Sequence, residues 1–278
     1  MNKETRNLIM FFILTFVASY VSEFMIVFNG WNPDTKPGVL FFNIGTSAPA
    51  WVAILMVFFT YTKDKRRDYF RRCFSFKQIK LPDWAFIVLV FPVIFVIVVF
   101  LDTLLGGALP VMTELNAYIA APLTIPLALF MAFLSGPGEE FGWRGYSLDP
   151  LIKRHGVLRA SAILGFIWGI WHLPSFLMPQ TWQGNAGFKF AGFWTFMIFC
   201  IGMTMMMTWI YLRTNRSILS AIMMHYFNAI TFGMTRPYSD RIWILSTLAI
   251  TAVGLALCIL MERKATRESN SASNTGSA

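Results

Sequence analysis

Three stretches of this chain put ionisable side chains into otherwise apolar surroundings. In "SGPGEEFGWRG" (135–145), Glu139, Glu140 and Arg144 follow a run of apolar residues. "GFIWGIWHLPSF" (165–176) carries His172, and "SAIMMHYFNAI" (220–230) carries His225 with Asn228 three residues on. Carboxylates and imidazoles are the groups that move protons, ligate metals and steady oxyanions. Glu140 and Arg144 are four residues apart, the spacing at which side chains on one helix face meet. Glu139 is turned about 100° from Glu140, toward a different neighbour. One carboxylate is therefore expected to be structural and the other free for chemistry. Each stretch also has a plain reading: a helix surfacing among headgroups, a hydrogen-bonded core histidine, polar side chains packing two helices.

The elements that must position these residues are membrane helices. The 278 residues are 56% hydrophobic and 13% charged, against about 25% charged in soluble domains. Eight apolar runs approach or reach the roughly 20 residues that cross a bilayer core. They lie at about 8–28, 38–60, 84–106, 119–138, 160–177, 190–212, 218–235 and 242–261. The first lacks a small-residue cleavage site and is expected to be a span, not a removable signal. The connections are short, so residues 1–265 are expected to form one all-α, polytopic domain. A catalytic core at about 119–235 lies within it, and a disordered tail is expected at 266–278.

Charge orients the bundle. With the N-terminus placed in the cytoplasm, all of the 23 basic residues fall inside except Lys36, Lys189, Arg236 and Arg241, as the positive-inside rule expects. Both termini are then cytoplasmic, in a multi-pass protein of the plasma membrane. The same rule accounts for the net charge of +9, so no nucleic-acid partner is expected; membrane lipids are. Cys73, Cys200 and Cys258 have no spacing that suggests a disulfide framework or a thiolate metal site.

Depth brings the three stretches together. The fourth span runs inward and ends near Glu139, while the fifth and seventh start inside. Their histidines lie about 12 and 7 residues in, or roughly 18 and 11 Å along a helix. Pro137, between Gly136 and Gly138, is expected to kink or interrupt its helix; a helix that continues past it would bring Glu139 closer to the depth of His172. The sites would then share a polar cavity opening toward the cytoplasm, suited to hydrolysis with or without a metal. Glu23 and Asp102 lie near the outer ends of their spans, where headgroups are expected to solvate them.

These motifs resemble those of the CAAX protease and bacteriocin-processing family, also called Abi, of intramembrane proteases. "EEFGWRG" is similar to its E-E-x-x-x-R motif, "WGIWH" (168–172) to its F-x-x-x-H, and "HYFN" (225–228) to its third motif, a histidine followed by Asn or Asp. The resemblance covers about residues 119–235. It implies an all-helical bundle and an endopeptidase whose base, Glu139, activates water. His172 would position that water, His225 and Asn228 would stabilise the oxyanion, and Glu140 with Arg144 would hold the helix. If a metal such as Zn2+ takes part, the resemblance makes Glu139, His172 and His225 its ligands. Two residues depart from the pattern. Trp168 stands for the usual phenylalanine and is expected to act as an equivalent packing residue. Asn228 follows His225 by three residues, not four, which turns its amide by about 100°.

The resemblance also implies the substrates, which are prenylated proteins, other lipid-anchored proteins or peptides. Bacterial relatives of this kind are linked to bacteriocin immunity and peptide maturation. Two other functions compete with proteolysis. A non-catalytic immunity or scaffold protein would keep the cavity without using it. A small-molecule transporter would need polar residues through both halves of the membrane, and the outer half offers little beyond Glu23 and Asp102.

Overall fold

The computed structural model describes residues 2–236 and 238–275, and all regular structure among them is helical. α1 (Lys3–Asn29) starts at Asn2, whose side chain accepts the Thr5 N–H, and stops at Gly30, which takes the left-handed conformation that favours glycine. α2 (Gly38–Thr46) and α3 (Ala48–Thr60) meet at Ser47 with a 52° bend. α4 (Lys63–Phe74), a basic helix, leads to α5 (Leu81–Leu104). The short α6 (Thr113–Ala120) meets the following helix at 102°. That helix is α7 (Ile125–Gly142), which passes through a π-turn (Trp143–Ser147) into α8 (Leu148–His155).

α9 (Val157–Trp171) gives way to a 3-10 turn (Leu173–Leu177). α10 (Trp182–Ala186) and a π-turn at Phe190–Trp194 lead into α11 (Thr195–Arg213), followed by α12 (Ile218–Met234) and α13 (Asp240–Thr275). The expected tail, 266–278, is continuous with α13 as far as Thr275, and its last three residues lie outside the described ones.

Among the described residues five helices are long and apolar enough to cross a membrane, and the two bent pairs, each taken as one span, raise that number to seven. The 17-residue α12 corresponds to the seventh expected span, and α13 to the eighth. Three of the expected spans differ in form. The 38–60 span is bent at Ser47. The fourth begins near Ile125 because the chain turns sharply after α6. The fifth stops being α-helical at Trp171. Pro137 does not interrupt α7. A proline inside a span is tolerated when neighbouring helices hold the segment, and Gly136 lets Ile222 of α12 approach closely at that level.

Lipid tails give helices no hydrophobic reason to associate, so close packing and polar contacts hold the bundle. Small residues mark the crossings. A Cβ on Gly142 would lie 2.4 Å from the Pro49 carbonyl oxygen of α3, and one on Gly165 would lie 2.6 Å from Ile201 Cα of α11. Gly202 and Gly254 do the same between α11 and α13. α11 is the central helix, with 72% of its span buried against 28% for α5 and α13.

Polar side chains fill the interior. Glu23 and Asp102 are not solvated by headgroups as expected; both are buried. Tertiary partners reached them first: Ser175 donates to Glu23 (2.9 Å), and Arg241 of α13 pairs with Asp102. Five of the basic residues expected inside meet four acidic ones at one surface. There a cavity of about 1040 Å³ is lined by residues including Lys3, Lys65, Arg72, Tyr146, Lys153 and Arg216. Glu139, His172 and His225 are not among its lining residues.

Candidate active site

α7 delivers the two glutamates in its last turn, and the π-turn that follows delivers Arg144. All three side chains are buried. Arg144 Nη1 donates to both carboxylate oxygens of Glu140, at 2.9 and 2.8 Å, and its Nη2 donates to Thr204 Oγ1 of α11 at 3.0 Å. The guanidinium also lies 5.1 Å from the Trp168 ring centre. A buried charge needs such partners, and Glu140 has a second one. His225 Nδ1 lies 2.9 Å from Glu140 Oε1. Because the arginine-paired carboxylate only accepts, Nδ1 carries the proton. His225 therefore turns Nε2 toward Glu139, whose Oε1 is 3.9 Å away.

Glu139 is held differently. Its Oε2 accepts the indole N–H of Trp168 at 2.5 Å and that of Trp143 at 3.3 Å. Indole N–H groups only donate, so they occupy one oxygen of Glu139 and leave Oε1 facing His225. The two glutamates thus have separate environments: Glu140 sits in a chain from Arg144 to His225, and Glu139 has an uncommitted oxygen.

His172 stands at the end of α9, where its Nδ1 donates to the Trp168 carbonyl oxygen (2.9 Å), leaving Nε2 open. It does not touch the glutamates. Trp168 contacts both histidines, with its ring centre 5.7 Å from those of His172 and His225. Asn228 lies one turn beyond His225 on α12, and its Oδ1 is buried without a partner among the described residues. The structure therefore joins Glu139, Glu140, Arg144 and His225 directly, places His172 one ring away and leaves Asn228 outside this hydrogen-bond network.

Trp168 departs from its expected role. It is not only a packing residue, because its indole N–H is a donor that phenylalanine lacks, and it spends that donor on Glu139. Trp143 and Thr204 are functional candidates that the pattern of spacing did not single out. Their signals were present: Trp143 sits inside "EEFGWRG", and Thr204 is a polar residue in an apolar helix.

The trio Glu139, His172 and His225 does not fit a zinc ion as arranged. Among the described residues no three His, Cys, Asp or Glu side chains are placed to hold a metal. Cys73, Cys200 and Cys258 are buried, and in α4 burial pushes the Cys73 thiol up to about 12, opposed in part by Arg72.

Comparison with known proteins agrees with this geometry. Residues 121–231 match the model of the family described as type II CAAX prenyl endopeptidase Rce1-like. The chain is also 25% identical over 220 residues to CAAX prenyl protease 2 of Methanococcus maripaludis, covering 78% of this chain and 80% of that protein. The resemblance carried by the three motifs is thereby borne out. The matched region spans α7 to α12 and so contains each of the candidate site residues.

Proposed function

We propose, from this similarity to the type II CAAX prenyl endopeptidases, that the chain is an intramembrane endopeptidase acting on lipid-anchored, prenylated peptides. Glu139 Oε1 takes the proton from the attacking water and later passes it to the amine leaving group. His172 Nε2, the ring nitrogen left open, orients that water. His225, doubly protonated between the two glutamates, donates from Nε2 to the oxyanion of the tetrahedral intermediate, its ring fixed by the Nδ1–H bond to Glu140. Arg144 in turn fixes Glu140. The amide nitrogen of Asn228 supplies a second donor to the oxyanion. The observation that carries the reading is the division between two adjacent glutamates, one fully paired and one with a free oxygen facing an imidazole. A carboxylate is expensive within a membrane and is kept there for work.

In this reading the basic end of the bundle faces the cytoplasm, with both termini on that side, in the plasma membrane. The test uses the purified protein in lipid vesicles with a fluorogenic peptide ending in a farnesylated Cys-aliphatic-aliphatic-X sequence. Glu139→Gln is expected to lower turnover by a factor on the order of 100 to 10,000, the range for loss of a general base. Undiminished cleavage by both Glu139→Gln and His225→Ala would overturn the proposal.

A further inference from the structure

The N-terminal helix lies outside the matched region 121–231, yet its polar residues converge on the turn that carries His172. The last carbonyls of a helix have no partner within it, and α9 ends next to this histidine. Tyr20 Oη donates to the Ile170 carbonyl oxygen at 2.7 Å. The Trp171 indole N–H donates to Ser19 Oγ at 2.6 Å, and Ser19 Oγ donates onward to the Gly45 carbonyl oxygen at 2.8 Å. Past the histidine, Ser175 Oγ donates to Glu23 Oε2 at 2.9 Å. Residues 170, 171 and 175 are thus tied to α1 on both sides of His172.

These ties reach the reacting groups through rings. Trp171 lies edge-on to His172, with centroids 4.6 Å apart, and edge-on to Trp143 at 5.7 Å. Trp143 donates to Glu139. Fixing the Trp171 indole therefore fixes a surface against which both His172 and the ring behind Glu139 rest. Glu23 is 1% exposed and has no salt bridge among the described residues. A carboxyl placed so deep without a cation is costly, and the Ser175 hydroxyl is the side-chain donor it meets. Ser19 and Glu23 share one face of α1, with Tyr20 beside them, so a single helix stripe makes all the contacts.

We infer that α1 is a working part of the site: Ser19, Tyr20 and Glu23 are positioning residues that hold the 3-10 turn and thereby aim the imidazole of His172. The inference rests on the endopeptidase reading and deepens it.

The test compares Tyr20→Phe, Glu23→Leu and Glu23→Gln with the unaltered protein, in vesicles, using the same farnesylated peptide. Misaiming a catalytic group by about 1 Å costs up to about 100-fold, so Tyr20→Phe and Glu23→Leu are expected to lose about 10- to 100-fold in kcat. KM should change by less than about twofold and the thermal midpoint should hold, the pattern of a lost transition-state interaction. Glu23→Gln keeps an acceptor oxygen for Ser175 and is expected to stay within about threefold of the unaltered kcat. Wild-type kcat in Tyr20→Phe and Glu23→Leu would overturn the inference. So would a kcat loss matched by a fall in thermal midpoint, or a Glu23→Gln variant as poor as Glu23→Leu. Inactivity of the unaltered protein toward the peptide would instead sink the endopeptidase reading, and this inference with it.

Discussion

The side chain that most changes the picture at the residue scale is Trp168. Its ring contacts both His172 and His225, supports the Arg144 guanidinium and donates its N–H to Glu139. Trp168→Phe keeps an aromatic six-membered ring and removes the donor together with the five-membered ring that carries it. The expected outcome is a fall in kcat of about tenfold, with KM nearly unchanged, because orienting hydrogen bonds at a reacting group act mainly on the transition state. Steady-state cleavage of the farnesylated peptide measures this, and an unaltered kcat would return Trp168 to a packing role. Adjacent glutamates are also told apart at this scale. The i,i+4 spacing identified Glu140 as the arginine partner, but the indole bonds that commit one oxygen of Glu139 come from rings in a π-turn and in another helix.

Helix crossings set the precision of the site at the element scale. The α7–α3 crossing comes one turn after the glutamates, at Gly142, where a Cβ would lie 2.4 Å from a backbone oxygen of α3. Backbone cannot swing aside, so Gly142→Ala has to push the helices apart. A loss on the order of 1–3 kcal/mol is expected, as for other overpacked sites, together with reduced turnover as Glu139 and Glu140 shift. Gly138→Ala is the control, since its Cβ would lie 3.8 Å from the nearest atoms of Ser47, an ordinary contact. Thermal midpoints of the two variants in the same detergent decide this; equal values would show that the crossing is looser than described. α7 also shows why breaks are hard to place from sequence. Pro137 looked like a stop but lies inside a continuous helix, whereas α9 ends at Trp171, with no proline until Pro174.

Considered as a whole, the molecule segregates its charges. Lys3, Lys153 and Arg216 line the cavity at one end, while Lys189 pairs with Asp240 at the other. α5 is pinned at both ends, by Asp83 to Arg213 of α11 and by Asp102 to Arg241 of α13. The positive-inside rule assigns the cavity end to the cytoplasm. Lys153 and Lys189 are both exposed, with 74% and 58% of their side chains accessible, so a cysteine at either position reports orientation. Lys189→Cys is expected to react with a membrane-impermeant maleimide added to intact cells. Lys153→Cys should react only after the membrane is opened, and the reverse pattern would invert the topology.

Sequence by itself determined the membrane character, the approximate spans and the set of candidate polar residues. These are local properties: apolar length and the types of residue in a short motif are complete within one helix. The structure alone decided which oxygen of Glu139 is free, that Trp168 contacts both histidines, and that α1 takes hold of the His172 turn. Each depends on atoms brought together across the fold. Trp171 and Ser19 are 152 residues apart in the chain, as are Ser175 and Glu23, and His225 is 85 from Glu140. Such contacts are written into the sequence only jointly, through helix crossings and small-residue spacings that no single stretch contains. Glu23 makes the point most plainly: its position in the first span suggested a headgroup neighbour, and only the packing of α1 against the end of α9 gives it Ser175.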